Sequence, residues 1–292
     1  MINFEYLEPA SLEEAAGYLK KYSYEAKLKA SGISLLLLLK QGFFTPGYLI
    51  SLLKIKNLSY IKTDDSKNLL IGALATHREI EMSEIINSHF YALAEMEYDL
   101  GSVQIRNRGT IGGCICHGDP LIDPPAVLIA LDAGAKAFSL RGERIIPFSE
   151  FFKGYYETAL EQDEILTELV IPKIPSNAGC AYIKHTLRKA MDKPFVGVAA
   201  YLEIDRNTGI CSNSRIALGA ISPTPVRAID AEEMLIGKRL DNQTIDNIFR
   251  DYELEDMEFS YDIRCPSDYK KWTTPVIIKR AVKTALERAS KE

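Results

Sequence analysis

The sequence predicts a mixed fold of the α+β class, built from at least two units. Up to about residue 172, strand patterns alternate with helix patterns along the chain. From about residue 176, three strand patterns follow one another and helix patterns then complete the chain. We therefore predict a boundary near residues 171–179, IPKIPSNAG, where the first arrangement gives way to the second.

The first elements are predicted from a helix start signal and a glycine turn. Ser11 is followed three residues later by Glu14, which is a capping box at the start of an amphipathic helix. Residues 27–42, KLKASGISLLLLLKQG, predict a short strand, a glycine turn and a leucine-rich helix of about two turns. This order is a strand–turn–helix unit.

Alternation continues through the next hundred residues. PGYLISL predicts a strand, and NLLIGALATHREIEMSEII predicts a strand and then a helix, with Thr76 and Glu79 as a second capping box. AVLIALDAGAKAFS predicts a short helix and a strand. DEILTELVIP predicts a strand of alternating burial that Pro172 ends.

The last part of the chain is predicted to form a three-stranded sheet and helices. The strand patterns are GCAYIKHTL, VGVAAYLEID and NSRIALGAIS, after which Pro223 and Pro225 end the run. The final helix is predicted over residues 276–287, with apolar residues on one face and charges on the other.

Composition excludes several classes of function. The 292 residues carry a net charge of −5 and no block of basic residues, so a nucleic acid is not an expected partner. The apolar run over residues 33–39 is too short to cross a bilayer, and the first residues lack a signal peptide pattern, which predicts a cytoplasmic protein without a membrane span. The five cysteines form no regular framework and are expected to be reduced thiols.

Two glycine turns carry the strongest chemical signal. ASGIS at residues 30–34 and TIGGC at residues 110–114 place small residues where backbone N–H groups can approach a bound anion, and a diphosphate is the natural ligand. Neither turn is a G-x-G-x-x-G or a P-loop sequence. Each turn, taken singly, is also compatible with a purely structural role.

The cysteines beside the second turn have three interpretations. Cys114 and Cys116 would point the same way on an extended segment, as metal ligands would, but no second ligand pair accompanies them. On such a segment Cys116 and His117 would face opposite sides, which disfavours a nucleophile and base pair. The remaining interpretation is that both cysteines are small buried hydrophobic residues, and we predict no metal.

Asp123 has two interpretations that the residues leave open. DPP before AVLIAL is typical of a helix N-cap with proline at the first helical position, and the carboxylate is equally a candidate ligand contact. His77, at a predicted helix start, and His89, in a predicted loop, are interpreted as structural residues.

Four stretches, in this order, resemble one family. ASGISLLLLLK, IGALATHREIE, RNRGTIGGCICHGDPLIDPPA and GAISPTPVRA are similar to the FAD-binding medium subunit of the molybdenum hydroxylases, which include carbon monoxide dehydrogenase and xanthine dehydrogenase. The resemblance covers nearly the whole chain. It implies a PCMH-type fold whose two subdomains, residues 1–58 and 59–175, hold the FAD diphosphate, followed by a C-terminal domain of sheet and helices at residues 176–292.

The resemblance also implies which residues contact FAD. It places a carboxylate on the adenosine ribose at Asp123, an apolar contact with the isoalloxazine at Leu166 and a lysine close to the flavin ring at Lys184, where a cation favours the anionic reduced flavin. The first loop is implied to contribute Lys29, Ala30, Ser31, Gly32, Ile33 and Ser34. The second is implied to contribute Gly109, Thr110, Gly112, Gly113 and Cys114, with Gly101 and Ile105 just upstream.

By this resemblance the chain is an electron-transfer subunit of a heterotrimer. A large subunit holds the molybdenum cofactor, a small subunit holds [2Fe-2S] clusters, and electrons pass through those clusters to FAD here and then to an external acceptor. Nothing in this chain supplies the molybdenum site, and substrate is chosen elsewhere. Two alternatives are a stand-alone FAD oxidoreductase of the same fold and a binding or assembly protein that has lost the flavin.

The sequence departs from the family pattern at three loop positions. Ser31 stands where the family has glycine, Ile33 where it often has a polar residue, and Cys114 where it has asparagine or aspartate. Cysteine is a weak hydrogen-bonding group, so the last change in particular could lower FAD affinity. One branch of the family carries an iron–sulfur cluster in this subunit on an inserted cysteine-rich loop, and no such loop is recognised in this sequence.

Overall fold

The computed structural model describes residues 3–254 and 257–290. Within these ranges the strands are β1 (Glu5–Leu7), β2 (Ala26–Lys29), β3 (Tyr48–Ser51), β4 (Ile61–Thr63), β5 (Leu69–Gly72), β6 (Gly134–Ser139), β7 (Gly142–Pro147), β8 (Phe152–Gly154), β9 (Glu157–Thr158), β10 (Ile165–Ile171), β11 (Ala178–His185), β12 (Val196–Ile204), β13 (Cys211–Gly219) and β14 (Val226–Arg227).

The helices of the same ranges confirm the predicted alternation. They are α1 (Leu12–Tyr22), α2 (Ile33–Gln41), α3 (His77–Glu81), α4 (Glu84–His89), α5 (Tyr91–Asp99), α6 (Val103–Arg106), α7 (Ile111–His117), α8 (Pro124–Ala130), α9 (Phe148–Phe151), α10 (Ile229–Leu235), α11 (Asn242–Ile248) and α12 (Ser267–Ala289), with 3-10 turns at Ser23–Glu25 and Lys56–Leu58. His89 therefore ends a helix and does not lie in a loop. No helix of the described chain is both long enough and apolar enough to cross a membrane.

The chain divides into two compact units, each assembled from separate segments. The first takes up the described residues to Ile80, together with Val103–Asp119 and Gly134–Ile171. The second takes up Glu81–Ser102, Pro120–Ala133 and the described residues from Pro172 onward. The three-part division predicted at residues 58/59 and 175/176 stays a prediction.

The first unit contains two larger sheets. Strands β1, β3 and β2 form a parallel sheet in that order, and strands β4, β5, β10, β6 and β7 form an antiparallel one. Helix α1 begins at Ser11, whose hydroxyl accepts the Glu14 N–H as predicted, although the Glu14 carboxylate accepts from Ala10. Its apolar face packs against residues of the parallel sheet, including Ile50.

Strand β10 corrects the prediction of alternating burial. All but one of its residues, Ile165 to Ile171, are buried, and only Val170 is partly exposed. The strand lies at the centre of the five-stranded sheet between β5 and β6. Because successive side chains point to opposite faces, consecutive burial means that both faces of this strand are covered.

The second unit is built on an antiparallel sheet. The three predicted strands are present as β11, β12 and β13, and a fourth, β14, follows Pro225, where the prolines were expected to end the sheet. Only two residues pair there, which is too short a strand for a sequence pattern to reveal. Helices α5, α8 and α12 pack against this sheet.

The last helix begins at Ser267, well before the predicted start at residue 276. It runs through Pro275, the residue immediately before the predicted start. Tertiary contacts outweigh the proline signal, because Lys270 and Thr274 lie before it and are fully buried. The Lys270 ammonium donates to the Ala220 carbonyl at 2.9 Å, which ties this first part of the helix to the loop after β13.

Candidate functional site

The first glycine turn connects β2 to α2 in the first unit. Gly32 has φ of +86°, a left-handed conformation that other residues adopt only at a cost in energy. A Cβ atom at this position would also lie 2.9 Å from the Leu36 side chain. Gly32 is therefore required by the turn itself.

The same turn holds a row of unused hydrogen-bond donors. The backbone N–H groups of residues 31–34 donate to no atom in the part of the chain that the structure describes, whereas the Leu36 N–H donates to the Gly32 carbonyl at 2.9 Å. The N-terminus of a helix carries partial positive charge, and unpaired N–H groups there are suited to an anion. Lys29, whose ammonium lies 3.2 Å from the Ala30 carbonyl, adds a full positive charge beside them.

The second glycine turn is arranged differently. Its residues begin helix α7, and the donors of the first helical turn are mostly in use: Ile111 donates to Ala75 and Gly112 to Ala73, each at 3.0 Å. The Gly113 N–H makes a longer bond of 3.3 Å to the hydroxyl of Thr110, the N-cap residue. Among the donors that begin α7, the Gly113 N–H is thus the one most easily turned toward a ligand.

The two glycine turns lie next to each other in the first unit, as they must if both are to contact one diphosphate. A Cβ atom on Gly113 would lie 3.4 Å from the Ala30 Cβ, and Gly113 is exposed. Gly112 has another role, because a Cβ atom there would lie 2.6 Å from both the carbonyl oxygen and the Cβ of Ala73. Gly109 is similar, since its Cβ would lie 3.0 Å from the Ile105 carbonyl and from the His77 ring.

The segment that begins at the Thr76 capping box is hydrogen-bonded to the second turn. Thr76 and Glu79 exchange hydrogen bonds as predicted, with the Glu79 N–H donating to the Thr76 hydroxyl at 3.1 Å and the Thr76 N–H to the Glu79 carboxylate at 2.7 Å. Thr76 pairs with Thr110 in an isolated β-bridge. The His77 N–H donates to the Gly109 carbonyl at 3.0 Å. Two stretches of the family resemblance are therefore joined through their backbones.

The cysteines lie on a helix and not on an extended segment, so that prediction was wrong. Residues two apart on a helix do not face the same way, which removes the geometric basis for Cys114 and Cys116 as a ligand pair. Cys116 is exposed and Cys114 is partly exposed, so neither is a buried hydrophobic residue. Among the residues that the structure describes, no group of three or more His, Cys, Asp or Glu side chains could hold a metal ion.

Three further predicted residues belong to stretches of the chain outside the two glycine turns. Ile105 is 37% exposed on the short helix α6, and Leu166 is 3% exposed in the central strand β10. Gly101 belongs to the second unit and has φ of +55°. The positive φ at Gly101 explains the glycine there as a turn requirement.

Asp123 and Lys184, both in the second unit, are brought together by the structure. The Lys184 ammonium lies 3.0 Å from Oδ2 of Asp123, and both side chains are 6% exposed. The Tyr182 hydroxyl donates to Oδ1 of Asp123 at 2.7 Å, and the Lys184 ammonium also donates to the Asp99 carbonyl at 3.1 Å. Burial raises the pKa of Asp123, and the Lys184 charge and the Tyr182 hydrogen bond oppose that rise.

Asp123 lies at the helix N-cap position but does not make the hydrogen bond of an N-cap residue, so that interpretation is wrong. Asp123 occupies the N-cap position of α8, but its backbone is helical, with φ of −77° and ψ of −40°, and its side chain makes no capping bond. The next two residues are Pro124 and Pro125, which have no N–H to offer. Its carboxylate is instead bound by side chains of β11.

Sequence reasoning missed Tyr182 and Gly197. A Cβ atom on Gly197 would lie 2.6 Å from the Tyr182 hydroxyl, so this glycine leaves room for the tyrosine. One signal was present, because Tyr182 and Lys184 are two apart on a predicted strand and hence share a face. Their common partner, Asp123, is distant in sequence and could not be identified from the pattern.

Comparisons with known proteins show the family of the chain. Residues 2–174 match the family model of the FAD binding domain in molybdopterin dehydrogenase, and residues 181–285 match the CO dehydrogenase flavoprotein C-terminal domain. The carbon monoxide dehydrogenase medium chain of Hydrogenophaga pseudoflava is 34% identical over 287 residues, 98% of each chain. The nicotinate dehydrogenase FAD-subunit of Eubacterium barkeri is 33% identical over 250 residues, 84% of each chain.

A solved structure gives the same result. Carbon monoxide dehydrogenase from Hydrogenophaga pseudoflava, in a form that lacks the Mo-pyranopterin moiety of its molybdenum cofactor, contains a chain that superimposes with a TM-score of 0.92 at 34% identity. The match covers 99% of both chains. The predicted fold class, an FAD-binding part followed by a C-terminal sheet and helices, is confirmed.

Proposed function

The chain belongs to the FAD-binding medium subunits of the molybdenum hydroxylases, and from this premise we propose that its first glycine turn binds the diphosphate of FAD. FAD is the cofactor of this class, and the chain is a subunit of an oxidoreductase. The observation that carries the proposal is the row of unused N–H donors at residues 31–34, at the N-terminus of α2 and beside Lys29. A diphosphate needs several such donors together with positive charge.

In this proposal the second turn supplies the remaining contacts to the diphosphate. Gly113 offers its N–H and the Thr110 hydroxyl can turn toward a phosphate oxygen, while Gly112 and Gly109 allow the backbone of the turn to pack closely on Ala73 and Ile105. The departure at Ser31 leaves the backbone donors of the first turn intact, because a serine side chain does not remove an N–H. Binding through backbone groups therefore tolerates the unusual residues of this chain.

The remaining residues of the predicted set stay proposals that rest on the resemblance. Ile105, Leu166 and Gly101 are proposed contacts of the flavin end of the cofactor. Lys184 is proposed to lie close to the flavin ring, and Asp123 to contact the ribose. The carboxylate oxygens of Asp123 already accept hydrogen bonds from Tyr182 and Lys184, so a ribose hydroxyl would have to share one of these oxygens.

The chemistry of this subunit is electron transfer. Bound FAD supplies the ability to accept electrons and to pass them on, and the residues of the chain contribute binding, orientation and local charge. We propose that the electrons come from the [2Fe-2S] clusters of a small partner subunit, after substrate oxidation at the molybdenum cofactor of a large one, and go to an external acceptor. The assembly is proposed to be a cytoplasmic heterotrimer.

Relatives of similar identity are named for carbon monoxide and for nicotinate, so the medium subunit is compatible with different substrates. The alternatives of a stand-alone FAD oxidoreductase and a flavin-free assembly protein are not favoured, because the match to medium chains extends over nearly the whole length of both proteins.

The test replaces one backbone donor and leaves the fold intact. Ser34→Pro removes the N–H of residue 34 at the second helical position, where proline is tolerated, as helix α8 demonstrates with Pro124 and Pro125. Ser34→Ala is the matched control, because it removes the hydroxyl and keeps the N–H. We expect Ser34→Pro to lose FAD affinity in a titration followed by flavin fluorescence, and Ser34→Ala to bind as the parent does. Equal affinity of the two variants would contradict the proposed diphosphate site.

A further inference from the structure

Asp123 and its neighbours hold the Lys184 ammonium in place through hydrogen bonds and an ion pair. The carboxylate of Asp123 holds the ammonium at 3.0 Å on one oxygen and accepts the Tyr182 hydroxyl at 2.7 Å on the other. A third contact, from Lys184 to the Asp99 carbonyl at 3.1 Å, leaves the ammonium little freedom to move. We propose that Asp123 is the counter-ion of Lys184 and that Tyr182 and Gly197 are positioning residues which hold this ion pair in place.

Burial makes the pairing energetically significant. The side chains of Asp123 and Lys184 are each 6% exposed, and two charges removed from water attract each other more strongly than they would at the surface. A buried charge that loses its partner is destabilised, so each member of the pair depends on the other. Burial, and after it Glu97, raises the pKa of Asp123, and Lys184 opposes that rise.

Gly197 leaves the space in which the Tyr182 hydroxyl reaches Asp123. It lies opposite Lys184 in the pairing of β11 with β12, and a Cβ atom there would be 2.6 Å from the Tyr182 hydroxyl oxygen. Any side chain at position 197 would therefore push the hydroxyl away from Asp123. Gly219, which pairs with Gly197 on the next strand, has room for a Cβ, since its nearest atom would be the Ala126 Cβ at 3.5 Å.

The consequence for function rests on the proposed position of Lys184 close to the flavin. Reduction adds negative charge to the flavin, so an unopposed ammonium raises its midpoint potential and a carboxylate paired with that ammonium reduces the effect. In this arrangement Asp123 acts on the flavin through Lys184 and not through a ribose contact: it sets how much of the Lys184 charge acts on the flavin.

The experiment measures the midpoint potential of bound flavin in the full-length chain together with its copurifying subunits. Lys184→Gln should lower the potential, and Asp123→Asn should raise it, because the first leaves the carboxylate alone and the second leaves the ammonium alone. The double variant should lie closer to the parent than either single one. These opposite signs are not expected if the residues are merely structural.

Two matched pairs test the positioning residues. Tyr182→Phe removes only the hydroxyl that stabilises the Asp123 charge, so it should shift the potential in the same direction as Asp123→Asn but less, whereas Tyr201→Phe, whose hydroxyl binds Glu203 on the same sheet, should leave it unchanged. Gly197→Ala should behave as Tyr182→Phe does, and Gly219→Ala as the parent does. Thermal unfolding of each variant checks that it is folded, and Tyr182→Phe provides the test if Asp123→Asn does not fold.

The outcomes that overturn the inference are distinct from those that overturn the proposed function. If Asp123→Asn and Tyr182→Phe weaken FAD binding and leave the potential unchanged, Asp123 is a ribose ligand and the inference is wrong. If Lys184→Gln leaves the potential unchanged while flavin stays bound, the inference is wrong and FAD binding by the chain stands. A parent chain and complex without flavin would overturn both.

Discussion

The Cβ of Ala30 would lie 3.4 Å from a methyl group placed on Gly113, although the two residues belong to turns that are far apart in the sequence. Ala30 precedes the row of unused N–H donors, and the Gly113 N–H makes a long bond of 3.3 Å to the Thr110 hydroxyl, from which it can be redirected. The first unit thus brings the two glycine turns to one place, which makes their separate contributions testable.

Alanine at Gly113 and at Gly112 should have different effects. At Gly113 the new Cβ would lie 2.8 Å from the Thr110 hydroxyl oxygen, an atom on a side chain that can rotate, and it would occupy the proposed phosphate position. We expect Gly113→Ala to weaken FAD binding by at least roughly tenfold, as for one lost charge-assisted hydrogen bond of about 1.5 kcal/mol. The unfolding free energy of the flavin-free chain should change little.

The Gly112→Ala variant is the comparison. Its Cβ would lie 2.6 Å from the backbone oxygen of Ala73, which cannot move aside without disturbing the turn. We expect a loss of about 1–3 kcal/mol in stability, the usual range for overpacking, in denaturant unfolding of the flavin-free chain. If Gly112→Ala is as stable as the parent, or if Gly113→Ala retains full affinity, the roles assigned to these glycines are wrong.

The cysteines of α7 should be dispensable for FAD. Cys114→Asn restores the polar residue that the family resemblance implies at this position, and the backbone bond from residue 114 to the Thr110 carbonyl, at 2.9 Å, does not depend on the side chain. We expect the double variant Cys114→Asn, Cys116→Ala to keep FAD and to bind it more tightly than the parent. Flavin titration and metal analysis of the chain measure both properties. Stoichiometric iron or zinc in the parent that disappears in the variant, together with the flavin, would instead indicate a metal site.

Stability in acid should depend on the ion pair of Glu164 with Arg144. The guanidinium donates to both carboxylate oxygens, at 2.7 and 2.8 Å, and the Glu164 side chain is 4% exposed. These bonds lower the pKa of Glu164, so the unfolded chain binds the proton more tightly than the folded one. The pair therefore stabilises the fold above the unfolded value of about 4.3, and this contribution is lost as the pH falls through the lower folded pKa.

The corresponding variant is Glu164→Gln. Because Arg144 is 45% exposed and partly screened by solvent, we expect a loss of about 1 kcal/mol at pH 7. The difference from the parent should shrink below about pH 4, which urea unfolding at several pH values will measure. Asp163→Asn, whose partner Arg141 is 57% exposed, is the control and should have a smaller effect at every pH. A difference for Glu164→Gln that grows in acid would contradict the assignment.

Lys270 should be a strong determinant of stability in the second unit. Its side chain is fully buried, burial lowers its pKa, and its ammonium donates to the carbonyl of Ala220, a residue with φ of +63°. Lys270→Met keeps most of the volume but leaves the Ala220 carbonyl without this donor, and we expect a loss of about 1–3 kcal/mol in denaturant unfolding. Lys271→Met, at the exposed neighbouring position, should be nearly neutral. Equal stability of the two variants would refute this role.

Local signals in the sequence predicted most elements of the fold. The capping residues Ser11 and Thr76 are the clearest cases, because a cap depends on a side chain and a backbone N–H that are three residues apart. The strands and glycine turns of the first unit followed in the same way from patterns within a few residues. Errors arose where distant parts of the chain decide, as at the start of the last helix, which was predicted at residue 276 and lies at Ser267, in the part that Lys270 anchors to Ala220.

The sequence by itself determined the class of the protein, the order of its elements and the two turns suited to a diphosphate, since these depend on residue type and short spacing. Only the tertiary structure decided what each residue of those motifs does. It engaged the donors of Gly112 and left those of residues 31–34 unused, placed the cysteines on a helix, and paired Asp123 with Lys184. The physical reason is that buried hydrogen bonds and ion pairs depend on which groups, distant in sequence, lie next to each other in the fold. A local sequence pattern does not contain that information.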